Sequence, residues 1–457
     1  MIDFDPLFLS RLQFAFTIGF HILFPTLTMG LGLFLIYLEG QWLRTHDPFF
    51  IDSAKFWSKI FALSFGTGVV SGVVLSYEIG TNFGEFSRIT GNVLGPIMSY
   101  EVLTAFFLET GFLGIMVFGW NRVGPKLHYF ATVMVGLGTF FSAFWILSAN
   151  SWMQTPAGFR FEDGQFFVTS WWEAVFNPSF PYRLAHMLNA SYVTTTFLVA
   201  GIAAWYLLHG REPAFALRTF KAAVLTAALL SPLQILIGDL HGLNTLEHQP
   251  VKVAAMEGHW ETSRDVPFRV FAWPDQEAAA NRFELAIPYA GSLILTHSPH
   301  GKVLGLKEVP RSDRPFVPIV FYSFRVMLAC GFLMLLLSWY GAYWVWRRSS
   351  LFSRRYLRAM VWVSPIGFIA VIAGWITTEA GRQPWTVHGL LRTADSVSAN
   401  LDGAEVAFSL LLFVAVYAAL FGAFLWFLLL MIRKGPAGEI PDTGPERADS
   451  RSPAFYG

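Results

Sequence analysis

Charge is scarce in this chain. Only 14% of its 457 residues are Asp, Glu, Lys or Arg, against roughly 25% in a soluble globular domain. A water-soluble fold is a poor reading of such a composition. The net charge of +1 gives no basic surplus, so nothing points to nucleic acid as a partner. Cysteine is almost missing. Cys330 stands alone in an apolar run, which leaves neither a disulfide framework nor a Cys-based metal site. A cleavable signal peptide is not evident, because the first apolar run, from about Leu12 to Leu38, is too long and lacks a basic leader. No internal repeat of the kind that builds inverted-repeat transporters is visible.

What is abundant is apolar. Hydrophobic residues make up 54% of the chain, with 46 Phe and 17 Trp. A membrane core about 30 Å thick takes roughly 20 apolar residues per helix. Nine runs qualify, near 12–38, 54–78, 93–118, 126–148, 180–208, 218–238, 316–346, 358–379 and 404–432. The expected fold is all-α, a polytopic membrane protein with about nine transmembrane helices. Alternate loops hold Arg44, Lys55 and Lys59, then Arg122 and Lys126, then Arg211, Arg218 and Lys221, then Arg347, Arg348, Arg354, Arg355 and Arg358. The positive-inside rule puts these loops in the cytoplasm, which places the N-terminus outside and the C-terminus inside. Four regions follow: helices one to six (1–238), an outer segment (239–315), helices seven to nine (316–434) and a disordered cytoplasmic tail (435–457). The outer segment mixes Trp260, Phe268, Phe271 and Trp273 with paired charges, which favours an ordered cap.

Ionisable residues inside spans are rare and usually functional. Glu379 and Arg382 end the eighth run, where Gln383, Pro384 and Trp385 stop the helix. Taken alone, they fit a capped helix end as well as a site. Glu101 and Glu109 lie in span three, about two turns and roughly 80° apart on a regular helix. Two histidines, His21 and His186, sit in apolar runs, while the other nine are read as lying in loops or near span ends. Imidazole is a common axial ligand and methionine a known partner to it, so haem is a candidate. Met327, beside Arg325, is a possible second ligand, and the arginine suits a propionate. By topology, His21, Glu101, His186, Met327 and Glu379 all fall toward the outer face. In the outer segment, Lys252 and Glu257 offer the donor and base that a quinol requires.

These residues fall in motifs that make the chain resemble subunit I of the cytochrome bd-type quinol oxidases over nearly its whole length. The motifs are Ser-Arg-Leu-Gln-Phe-Ala at 10–15 with His21, and Glu101 to Glu109. They continue with Trp-Ile-Leu-Ser-Ala-Asn-Ser-Trp-Met-Gln at 145–154, Lys252 to Glu257, Phe-Arg-Val-Met at 324–327 and Gly-Arg-Gln-Pro-Trp at 381–385. The short outer segment and Gly-Leu-Asn-Thr-Leu-Glu-His-Gln-Pro at 242–250 are most similar to the cyanide-insensitive subclass. The resemblance implies three haems: a low-spin haem b on His186 and Met327, and a high-spin haem b and a haem d, or a further haem b in its place, on His21 and Glu379. It implies Trp375 between haems and Arg382 on propionates. Glu101 and Glu109 would serve the oxygen site, and Lys252 and Glu257 the quinol. The implied partners are subunit II, with room for a small single-helix subunit, ubiquinol or menaquinol, dioxygen and the lipid of a bacterial cytoplasmic (inner) membrane. The implied activity is quinol oxidation coupled to reduction of dioxygen to water, building a proton gradient without a pump. Two other readings stand beside it. A haem-bearing quinone-linked anchor would use His186 and Met327 but leave His21 and Glu379 without a role. A proton-coupled transporter would use Glu101 and Glu109 only.

Overall fold

The computed structural model describes residues 5–347 and 352–436. Among these, nine helices are long and apolar enough to cross a membrane: Pro6–Thr45, Pro48–Thr81, Gly84–Phe118, Pro125–Gln154, Trp171–Leu208, Pro213–His248, Arg311–Trp346, Arg354–Ala380 and Gly403–Lys434. They are numbered here as spans one to nine. Each apolar run of the sequence lies in one span, and every span extends past its run at one or both ends. Arg348 and the tail beyond residue 436 lie outside the described residues.

The span ends follow local rules. Pro6, Pro48, Pro125 and Pro213 each occupy the first helical turn, where a missing N–H costs nothing. Side chains cap other free N–H groups: Asp47 accepts from the Phe49 N–H at 2.9 Å, and Asp402 from the Ala404 N–H at 2.9 Å. Span one is broken. Its first helix ends at His21 and a second begins at Leu23. Pro25 explains the break, since it lacks an N–H and its ring crowds the carbonyl four residues earlier, that of His21.

The largest core cluster joins Phe24, Leu31, Trp57, Phe61, Phe197, Phe220 and Met360 across spans one, two, five, six and eight. Glycines allow the close approaches. A Cβ on Gly30 would strike Thr195, and one on Gly201 would strike Ser364 and lie 3.1 Å from the Met360 carbonyl.

The two ends of the bundle differ. One end has short turns, at 45–48, 118–125 and 208–213. The other carries nearly all the remaining structure. Three two-stranded antiparallel sheets lie there: β1 (Phe159–Glu162) with β2 (Gln165–Val168), β3 (Phe268–Asp275) with β4 (Ala280–Ile287), and β5 (Trp385–Val387) with β6 (Leu391–Arg392). The all-α reading therefore fits the membrane body, and short hairpins decorate one end. The outer segment is ordered. Span six runs on to His248, ten residues past the boundary read at 238. A short cap helix, Pro250–Met256, follows before β3 and β4.

Candidate functional site

Glu379 stands in the last turn of span eight. Its Oε1 accepts hydrogen bonds from Asn150 Nδ2 and Gln154 Nε2, both at 3.2 Å, and its Oε2 is paired with Arg382. The guanidinium of Arg183, from span five, lies 4.0 Å from Oε1, bonds Asn150 and lies 5.7 Å from the ring of Trp375. Span four supplies Asn150 and Gln154 one turn apart, so a single helix face holds the carboxylate. Glu379 keeps 31% of its side-chain surface open, whereas Arg382 keeps 8% and Arg183 6%. The arginines are packed away, while the Glu379 side chain stays partly accessible. Gln383–Pro384 is a cis peptide bond, and the Pro384 carbonyl accepts from the Thr393 N–H at 2.9 Å.

His186 rests against span six, where a Cβ on Gly238 would come 3.3 Å from its ring. Gln234 Nε2 lies 3.2 Å from its Nε2, while its Nδ1 is buried with no partner. Met327 rests against span eight, its sulfur 2.9 Å from where a Cβ on Gly374 would sit. His21 is placed elsewhere, with its Nδ1 2.9 Å from Ser71 Oγ and its ring against Gly72 of span two. Met29 and Ile22 of span one, Phe144 and Leu147 of span four, Phe180 and Met187 of span five, and Val371 and Trp375 of span eight form one apolar cluster. That cluster links the neighbourhoods of His21, His186 and Glu379.

Glu101 and Glu109 differ from the regular-helix expectation. A five-residue π-helical stretch, Val102–Phe106, lies between them. Its wider turn cancels the 80° offset, and both carboxylates meet span four: Ser142 Oγ donates to Glu101 Oε1 at 2.8 Å, and Glu109 packs on Gly138. Such π-bulges are frequent at functional sites. Glu101 lies midway along its span rather than in the half toward the cap, because the helix begins at Gly84.

Lys252 and Glu257, on and just after the cap helix, do not pair with each other. Lys252 Nζ donates to Gln154 Oε1 at 2.6 Å. Burial pushes its amine well below the usual range. Arg183 and Arg382 push the same way, and Glu379 opposes them. Glu257 instead accepts from Arg325 Nη2 at 2.8 Å, and Arg325 Nε donates to the Arg269 carbonyl at 2.6 Å. His388, after β5, is lowered to about 4 by burial and then by Lys252 and Arg382. Three residues of this region were not read from the sequence as site residues. Arg183 and Gln154 sit at span ends, where hydropathy reads them as interfacial. His241, among the histidines read as lying in loops or near span ends, is helical, and its ring centroid is 5.3 Å from that of His186. The sequence signal for Arg183 was its position one turn before His186.

The chain as a whole is similar to known proteins. The family model described as cytochrome bd terminal oxidase subunit I matches residues 9–436. The chain belongs to that family. It is 36% identical over 464 residues to the cytochrome bd ubiquinol oxidase subunit 1 of Bacillus subtilis (strain 168), covering 99% of both chains. It is 34% identical to the cytochrome bd-II ubiquinol oxidase subunit 1 of Escherichia coli (strain K12), covering 95% of this chain and 97% of that one. The bd oxidase structure from Geobacillus thermodenitrificans superposes with a TM-score of 0.88 at 32% identity, covering 95% of this chain and 100% of that one. This cytochrome bd oxidase subunit is thus a multi-pass, haem-containing membrane protein.

The residues present fit haem. Buried polar atoms without partners cluster here: His186 Nδ1, Arg183 Nε, Arg325 Nη1, and Arg382 Nε and Nη1. Unpaired guanidinium nitrogens of this kind suit propionate carboxylates. His21, His186 and Met327 each rest on a glycine that leaves room beside the donor atom.

Proposed function

We propose that this subunit oxidises quinol at the cap end and supports reduction of dioxygen to water within the bundle, separating charge without a pump. The observation that carries the proposal is the convergence of Asn150, Gln154, Arg183, Lys252 and Arg382 on Glu379. A quinone-linked anchor without an oxygen site gives that assembly no role, and a transporter gives His186 and Met327 none. When bound, haem supplies electron transfer and the centre at which dioxygen is reduced.

The chain's own residues take the following parts. His186 and Met327 hold a low-spin haem b. His21 holds one high-spin haem and Glu379 the other, one being haem b and the other haem d or a further haem b. Arg183, Arg325 and Arg382 would receive propionates, and the family resemblance implies that Trp375, beside Arg183, would lie between haems. Glu257 takes the proton of a quinol hydroxyl, and Arg325 keeps its carboxylate oriented. Lys252 hydrogen-bonds the second hydroxyl. Glu101 and Glu109 hold and pass protons along the face of span four marked by Ser142 and Gly138. Released protons leave on the cap side, and consumed protons arrive from the cytoplasm. Each charge so separated stores about 2.3 kcal/mol per 100 mV. Subunit II completes the assembly, with room for a small single-helix subunit. The quinone is ubiquinol or menaquinol, and the 242–250 motif favours the short-loop, cyanide-insensitive subclass.

Pyridine haemochrome analysis of the purified complex, with oxygen uptake on a quinol donor, tests the reading. Haem with quinol-dependent uptake is expected. A protein free of haem, or one that reduces no oxygen, overturns it.

A further inference from the structure

The β3–β4 hairpin is unusual for a surface element because six of its exposed side chains are large and apolar. Val270, Phe271 and Trp273 on β3 are 44%, 47% and 59% exposed, and Phe283, Leu285 and Ile287 on β4 are 86%, 64% and 53% exposed. Two register shifts interrupt the ladder, one with its extra residue on β3 and one on β4, and Phe283 has a φ of 53°. A phenyl ring held at positive φ is uncommon, and here the local backbone thrusts it outward. Exposed apolar patches of this kind mark an interaction surface.

The depth of the hairpin identifies its partner. The helix of span seven, Val317–Trp346, has 30 residues, about 45 Å at 1.5 Å per residue. A hydrocarbon core of about 30 Å leaves roughly 15 Å of that helix outside it. Tyr340, Tyr343, Trp344 and Trp346 are partly exposed near the far end, as an aromatic belt at that interface requires. The surplus length therefore lies at the cap end. The hairpin is fastened there, since Tyr322 Oη donates to the Ala272 carbonyl at 2.9 Å and Arg325 Nε to the Arg269 carbonyl at 2.6 Å. Strand β3 thus runs beside the first turns of span seven, at headgroup level. The exposed apolar face of the span itself, Phe316, Ile319 and Val326, meets the membrane at the same depth. Charges on the hairpin are largely paired internally: Arg282 with Asp275, and Arg269 with Glu284 at 3.0 Å.

We propose that the β3–β4 hairpin is an interfacial foot, with Phe283, Leu285 and Ile287 inserted among the lipids of the cap-side leaflet. Its partner is the phospholipid surface. The inference does not depend on the quinol reading. Burying these side chains among lipid offsets the cost of holding Phe283 at positive φ, and it fixes the cap to the plane of the bilayer.

The test uses the full oxidase complex in phosphatidylcholine vesicles. Single variants Phe283→Cys, Leu285→Cys and, as an exposed reference, Glu277→Cys carry a bimane label, and unsubstituted complex measures background labelling. Labels at 283 and 285 are expected to be quenched by phosphatidylcholine bearing a nitroxide near the headgroup, and to resist aqueous iodide several-fold better than the label at 277. Iodide quenching equal to that at 277, with no effect of nitroxide lipid, would place the hairpin in water and overturn the proposal. Shielding from both quenchers would show a protein on this face and overturn it equally.

Discussion

Single side chains set the chemistry of this subunit, and several can be removed without disturbing the fold. Leucine matches methionine closely in volume, so Met327→Leu should cost under about 1.5 kcal/mol in packing. The low-spin haem spectrum should nevertheless be lost while high-spin bands persist. Reduced-minus-oxidised difference spectra of the variant measure this, and an unchanged low-spin band removes Met327 as a ligand. Glu379→Gln keeps the size of the side chain but takes the charge from between Arg183 and Arg382. One high-spin signal and oxygen uptake should both fall at least tenfold, a loss of about 1.4 kcal/mol or more in transition-state stabilisation, while the low-spin band survives. His21, His186 and Glu379 could be proposed from the sequence because an imidazole or a carboxylate stands out against an apolar run, and Met327 because Arg325 lies beside it. Arg183 and Gln154 were not, because a polar residue at a span end reads as interfacial until its partners are known. Only the fold brings Gln154 between Lys252 and Glu379.

At the scale of elements, hydropathy located all nine spans but not their ends. Span six fades from the apolar pattern at Asp239, yet its helix continues to His248, because polar side chains there find partners inside the protein. Asn244 Nδ2, for example, donates to the Pro178 carbonyl at 3.2 Å. The π-helical stretch after Glu101 was equally hidden, since no residue type marks it. Packing between spans five and eight gives a direct test. Gly201→Ala would drive a methyl into Ser364 and against the Met360 backbone, and overpacking of this kind costs about 1–3 kcal/mol. A lowered thermal unfolding midpoint in detergent is expected, with haem spectra intact below it. The cap offers a second test. Burial, with Arg269 alongside, pushes His259 down to about 4, against about 6.5 in an unfolded chain. Between these values the unfolded cap binds the proton more readily, so its folded form is fully supported above about pH 6.5 and loses support as pH falls toward 4. Limited proteolysis of the cap should accelerate across that window, and His259→Gln should flatten the dependence.

The whole molecule is asymmetric along its long axis. Tight turns close one end, while the cap and all three hairpins crowd the other. We propose, from the distribution of Lys and Arg, that the tight-turn end faces the cytoplasm. A reporter fused after Gly435 should therefore be active only as a cytoplasmic enzyme, and a periplasmic alkaline phosphatase fusion there should be silent. The family was legible from motifs spread over the full length. The contacts among those motifs were not legible, since they depend on which face of each helix turns inward. One such contact joins the cap to the bundle. Lys252 in the cap bonds Gln154, and Gln154 bonds Glu379. Cap and bundle thus share one hydrogen-bond relay, and thermodynamic linkage makes its effect mutual. Whatever factor a quinol analogue in the cap imposes on the affinity of a ligand at the Glu379 centre, that ligand must impose on the analogue.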